Sequence, residues 1–211
     1  AYCTIKCATS GIEWKVLSGV HSASISDSTF TTLSGNGIYV YGENGSTIDL
    51  NVINNTVSDT DGYGIYTDVT GSSTHLDGSI QENTVTASGN YGIYLLTQSS
   101  ALSTVSIKDN TVTGSSTYGI YLYSSSTSTI KSEIQVTGND VYATGSSASH
   151  YGIYCVAYYS DMAVQIYDNE VHDNAGAGIY CYQNGSYTLY PEISNNLVYF
   201  NSGDGINCNG S

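Results

Sequence analysis

The chain has 211 residues, with 18 acidic and 4 basic side chains, a net charge of −14, 21 Tyr, 23 Gly and a single Pro. All four basic residues are lysines, Lys6, Lys15, Lys108 and Lys131, and an acidic chain with no guanidinium to fork onto phosphate excludes nucleic acid and anionic membrane as partners. No apolar run of about 18 residues or more occurs, so membrane insertion is not predicted, and 40% hydrophobic residues are enough to bury a real core.

In chain order, residues 1–10 are predicted to be an N-terminal segment carrying Cys3 and Cys7, and residues 11–211 one repetitive domain. The first residue is Ala1 rather than Met, as after removal of a signal peptide. Low charge density, abundant Ser, Thr, Asn and Gly, and five cysteines predict an extracellular, cell-surface protein in an oxidising environment. Sequons at Asn44, Asn54, Asn184 and Asn209 permit glycosylation.

From residue 11 onward the dipeptide Gly-Ile recurs eight times, beginning at Gly11, Gly37, Gly64, Gly92, Gly119, Gly152, Gly178 and Gly205, at intervals of 26–33 residues. Between these pairs lies an apolar-x-x-Asn-x-Val motif, whose Asn falls at Asn55, Asn83, Asn110, Asn139, Asn169 and Asn196, with Ser28 in the same place one repeat earlier. The step from this residue to the next Gly is nine residues in six of seven repeats. Short alternating stretches separated by Gly, Asn, Asp and Ser predict strands, and no 3.6-residue apolar period is sustained. A coil of about 27 residues cannot bury its own apolar side chains. Stacked at about 4.8 Å per layer, such coils pair strand on strand in parallel. The prediction is an all-β, single-domain parallel β-helix of about eight coils, roughly 38 Å tall. Propeller blades need longer repeats, and the leucine-rich pattern is absent.

From about Gly11 to Cys208 the repeated Gly-Ile and Asn-x-Val signature resembles the right-handed parallel β-helix family, the pectate-lyase-like fold.

Stacking turns equivalent positions into columns. In Gly-Ile-Tyr-x, alternation places Ile and the fourth residue inside and Tyr outside. The fourth column reads Trp14, Val40, Thr67, Leu95, Leu122, Cys155, Cys181, Cys208. The Asn column is predicted to turn inward at a corner as a structural amide ladder, on residues that tolerate a left-handed backbone. The outward column is Tyr39, Tyr66, Tyr94, Tyr121, Tyr154 and Tyr180, bounded by Glu13 and Asn207 and thickened by Tyr63, Tyr91, Tyr118 and Tyr151. It reads either as cross-strand stacking or as an interface or glycan-stacking stripe. Cys155, Cys181 and Cys208 share an inward column and read as buried thiols or neighbours near enough to bond. Cys3, Cys7 and Cys208 lie near the ends and are candidate intersubunit disulfide partners.

The resemblance implies two catalytic possibilities. Lyases of the fold pair a calcium-binding carboxylate cluster with an Arg or Lys base. Within the coils that base would be Lys108 or Lys131, for each of which a solvated surface role is the plainer reading. Hydrolases of the fold use paired carboxylates, and the column before the ladder Asn offers Glu82 and Asp109 in adjacent coils. Lys108 adjoins them at a corner, which favours a solvated acidic edge over a catalytic pair. His21, His75, His150 and His172 lack metal-ligand spacing. Asp59, Asp61 and Asp173 offer at most weak calcium binding, and no other cofactor is implied. Outward threonines in 84–86 and 111–113 resemble the start of an ice-binding array that spans only two coils.

With little sequence ahead of Gly11 or after the last strand to cap the column, the reading is a secreted structural protein. It would be a self-assembling homopolymer subunit of a cell-surface sheath, coat or fibre, in possible contact with surface polysaccharide, or else a fragment of a longer protein. In architecture and composition it looks like the tubular-sheath type of archaeal surface protein. The second reading is a polysaccharide-binding or polysaccharide-cleaving β-helix whose Tyr column stacks sugars.

Overall fold

A computed structural model describes residues 3–125, 132–184 and 187–210. Lys131, one of the two candidate bases, lies outside them. The alternating stretches are short strands, and none of the described residues is helical. The strands sort into three parallel sheets of eight, eight and seven. One coil shows how: Thr47–Ile53 joins the third sheet, Thr56–Thr60 the first and Ile65–Thr70 the second. Registers are the ones the repeat dictates. Ile93 lies between Ile65 and Ile120, and Val85 between Val57 and Val112.

The fold is therefore a right-handed parallel β-helix, as the repeat predicts, with seven complete turns and a partial eighth. The last Gly-Ile strand, Ile206–Gly210, has no described third-sheet strand after it. The boundary expected at Gly11 moves toward the N-terminus. Thr4–Lys6 already pairs with the first sheet, Thr4 against Thr29 and Ile5 against Phe30, and Ile5 packs on the core. A repeat search anchored on Gly-Ile does not see a partial coil that lacks the dipeptide.

The core is the stack of inward Ile, Val and Leu side chains, among them Ile38, Ile65, Ile93, Ile120 and Ile153, all fully buried. The Gly before each Ile is required by close approach. A Cβ on Gly64 would lie 2.3 Å from Val85 Cγ1 and 2.5 Å from the Gly92 carbonyl oxygen, well inside van der Waals contact. Only Gly lets the first-sheet valine and the next coil's backbone come so near.

The corners correct one expectation. The left-handed residue is the one before the ladder Asn, not the Asn itself. Asp27, Asn54, Glu82, Asp109, Gly138, Asp168 and Asn195 all have φ between 51 and 66°. Asn, Asp and Gly recur there because they bear that conformation at least cost. A second left-handed column, Cys7, Thr32, Asp59, Ala87, Gly114, Ala143, Asp173 and Phe200, closes the first sheet with φ of 52–66°.

Candidate functional site

At the first corner each ladder Asn faces inward and is used completely. Asn83 donates its backbone N–H and its side-chain amide to Asn110 Oδ1 at 2.9 and 3.0 Å. Asn110 does the same to Asn139 at 3.0 and 2.9 Å, and the chain continues through Asn169 to Asn196. Asn55 begins it on Asn83, and Ser28 donates its N–H to Asn55 Oδ1. The other amide proton goes to backbone carbonyls, such as Val52 O and Gln81 O for Asn83. From Asn55 to Asn169 the column is a continuous structural device with every donor placed.

A second ladder was not legible in the sequence. Thr144 donates to Asn174 Oδ1 through its N–H and hydroxyl at 3.1 and 2.7 Å, and Asn174 donates to Asn201 Oδ1 at 3.1 and 2.8 Å. These residues stand five places after Asn139, Asn169 and Asn196. In earlier coils the same offset holds Leu33, Thr60, Ser88 and Ser115. The constant offset was the available signal, hidden by the change of residue type.

The second sheet carries the outward tyrosines as a stacked ladder. Tyr39–Tyr66, Tyr66–Tyr94 and Tyr94–Tyr121 have ring centroids 4.9 Å apart, Tyr121–Tyr154 5.0 Å, with interplanar angles of 5–14°. The spacing is that of the strands themselves, about 4.8 Å, which sets like rotamers in register face to face. Tyr180 breaks the pattern, tilted 53° from Tyr154 and stacked on Tyr151 instead. Tyr91 packs edge-on against both Tyr94 and Tyr121, and Tyr63, Tyr118 and Tyr151 continue that second row. Two outward aliphatic residues of the face, Leu96 and Val156, are buried.

This packing decides what the face presents. Ring faces within the ladder are spent on neighbouring rings, so edges and hydroxyls form the outer rim. Burial pushes the phenols of Tyr66, Tyr94, Tyr121 and Tyr154 well up from their usual range, and Tyr118 to about 12. Tyr41 is also raised to about 12, chiefly because its hydroxyl donates to Glu43 at 2.6 Å. The rim is thus a row of neutral phenols, with Glu43 and Asp68 accepting from Tyr41 and Tyr66.

The other sequence candidates are scattered. Glu82 and Asp109 are both exposed on the left-handed corner column, with φ of 57° and 53°. Asp109 pairs with Lys108 at 3.4 Å. Asp59 and Asp61 line a shallow recess at the second corner. Among the described residues no group of three or more His, Cys, Asp or Glu side chains is placed to hold a metal ion. His172 belongs to a cluster spread over three coils that sequence spacing does not reveal. Its ring lies between Tyr142 and Tyr199 at 5.0 and 4.8 Å, with Asp173 at 2.7 Å from Nδ1 and Asp140 at 3.3 Å from Nε2.

All five cysteines are free thiols. Cys155, Cys181 and Cys208 are in register in successive coils, the first two buried and the third exposed in the last layer. Hydrogen bonding to Cys155, then burial, pushes the Cys181 thiol far up, and desolvation with Cys181 alongside raises Cys208 to about 11. Cys3 and Cys208 occupy different columns. Cys3 precedes Thr4, which pairs with Thr29 beyond Ser28, and so begins the Asn column, whereas Cys208 ends the column of Trp14. A straight end-to-end continuation would set Cys208 opposite Trp14 and Cys3 opposite Asn196. A Cys3–Cys208 bond between copies therefore does not follow from simple stacking.

A family model described as a right handed beta helix region matches residues 49–141. The match covers the middle coils, where both ladders of identical residues are most regular. No curated protein and no solved structure matches the chain.

Proposed function

We propose that this β-helix is a secreted structural protein of the non-catalytic, sheath-type kind, a self-assembling subunit of a cell-surface sheath, coat or fibre. The observation that carries the reading is the tyrosine ladder, a ridge whose rings stack on one another through five successive coils of the second sheet. A straight rim of aromatic edges and neutral hydroxyls suits lateral contact with a second flat surface, where Tyr contributes area and a hydrogen bond at small entropic cost. It does not suit the flat stacking of sugar rings, which needs an uncovered aromatic face. The extracellular setting is supported by composition.

Sedimentation velocity and electron microscopy of the full natural chain test the reading. Concentration-dependent ordered polymers are expected, weakened when Tyr66, Tyr94 and Tyr121 are together changed to Phe, which keeps the stack and removes the rim hydroxyls. A chain that stays monomeric at millimolar concentration overturns it.

A further inference from the structure

Two outer faces of the column occupy the same coils. The second-sheet strands Ile93–Gln98, Ile120–Ser125, Ile153–Tyr158 and Ile179–Asn184 are followed in turn by the third-sheet strands Leu102–Lys108, Ser132–Thr137, Met162–Tyr167 and Leu189–Ser194. The first set bears Tyr94, Tyr121, Tyr154 and Tyr180, and none of its strands contains a charged residue, in a chain of net charge −14. The second set walls an open groove of about 530 Å³. Val105, Ile134 and Val164, one per coil, line it between two outward rows. One row passes through Glu133 and Ala163. In the other, Gln135 donates to Gln165 Oε1 at 3.1 Å and Gln165 to Glu192 Oε2 at 2.9 Å. Glu133 and Glu192 are exposed, and no lining residue is a cation.

The geometry points to a second copy of this chain as the occupant of the groove: the tyrosine ridge of one copy seats in the third-sheet groove of the next, with the two columns side by side and level. This rests on the self-assembly reading above and names the surfaces which that reading needs. The periods match. Ridge rings repeat at 4.9 and 5.0 Å from Tyr94 to Tyr154, and groove residues repeat with the strand spacing of about 4.8 Å, so a contact made in one coil recurs in the next. Polarity matches as well. A phenol presents an apolar ring edge and a hydroxyl donor, and the groove presents an apolar strip between carboxylate and amide acceptors. Burial keeps the phenols of Tyr94, Tyr121 and Tyr154 protonated, hence donors. Charge sets the height. The uncharged upper ridge approaches Glu133 and Glu192 without opposing like charges, whereas the lower ridge, beside Glu43 and Asp68, would repel them. Ridge and groove lie on different sheets, so the contact is heterologous, and a copy engaged through its ridge still has its groove open for another.

The test is sedimentation velocity on the full chain and its variants, with circular dichroism confirming that each variant is folded. Ala163→Trp fills the groove and leaves the ridge whole. Changing Tyr94, Tyr121 and Tyr154 together to Phe keeps the stack and removes the donors. Each variant should raise the concentration needed for polymers roughly tenfold or more, whereas Thr84→Trp on the first sheet should assemble like the parent. Mixed in equal amounts below that concentration, the groove and ridge variants should form one-to-one dimers and nothing longer, because the intact ridge of one meets the intact groove of the other. The inference is overturned if folded Ala163→Trp polymerises like the parent, which leaves self-assembly through another contact standing, or if the mixture stays monomeric. A parent chain that is itself monomeric at millimolar concentration overturns the self-assembly reading and this inference with it.

Discussion

Asn110 Oδ1 accepts two hydrogen bonds from Asn83, one from the backbone N–H at 2.9 Å and one from the side-chain amide at 3.0 Å. One buried oxygen thus satisfies two donors of the preceding coil, while the Asn110 amide closes on Ile80 O and Asn139 Oδ1. Each coil holds the one before it.

Asn110→Leu should therefore cost about 3–5 kcal/mol, because it orphans two buried donors on Asn83 and removes the donors to Ile80 O and Asn139 Oδ1. Asn110→Asp should also destabilise at neutral pH, since a carboxylate accepts but does not donate. Chemical denaturation followed by circular dichroism reads both, and a parental midpoint for Asn110→Leu would contradict the ladder's role.

Ala87 holds φ of 52° on the second left-handed corner and is exposed. Ala87→Gly should raise stability by about 1 kcal/mol by relieving the Cβ strain. Ala87→Val supplies the control, and should lower the denaturation midpoint.

Thr67 replaces an aliphatic residue in the column of Val40 and Leu95, is fully buried, and its hydroxyl has no hydrogen-bond partner among the described residues. Thr67→Val keeps the shape and removes that group, so a gain of about 1 kcal/mol is expected. A loss of stability would show that the hydroxyl is satisfied.

Tyr121 sits between Tyr94 and Tyr154 at 4.9 and 5.0 Å. Tyr121→Ala should cost about 2–4 kcal/mol and Tyr121→Phe less than about 1 kcal/mol. The ladder also sets an alkaline limit. Burial raises Tyr118 from 10.0 to about 12, so the fold favours the protonated phenol. That contribution is complete below the unfolded pKa of 10.0 and is lost as pH rises through about 12. Ultraviolet phenolate titration should show ridge tyrosines ionising late, together with unfolding.

Thiol labelling checks the cysteine columns. At pH 8, iodoacetamide should modify exposed Cys3 and Cys7 first, spare buried Cys155 and Cys181 until denaturant is added, and reach Cys208 slowly because its thiol is held up at about 11. Peptide mass spectrometry assigns each site, and rapid labelling of Cys181 in the folded chain would contradict the packing.

Much of this architecture is legible in the amino-acid sequence. Gly64-Ile65-Tyr66 and its copies declare the coil, the parallel register and the inward and outward columns, because a strand's two-residue period leaves no freedom once identical coils stack. The Asn column was legible for the same reason. Three features were not. The left-handed backbone of the column of Glu82 and Asp109 is one, because the sequence pattern pointed to the ladder Asn as the left-handed residue. The Thr144–Asn174–Asn201 ladder keeps its position while changing its residues. The third-sheet groove gathers Thr104, Glu133, Gln165 and Tyr190 from four coils, with no local motif to announce it. The sequence by itself thus determined period, register and which side chains face inward, since these follow from repetition along the chain. Tertiary structure alone decided which ring faces, corner residues and polar rows remain available to a partner, because availability depends on what the neighbouring coils have already covered.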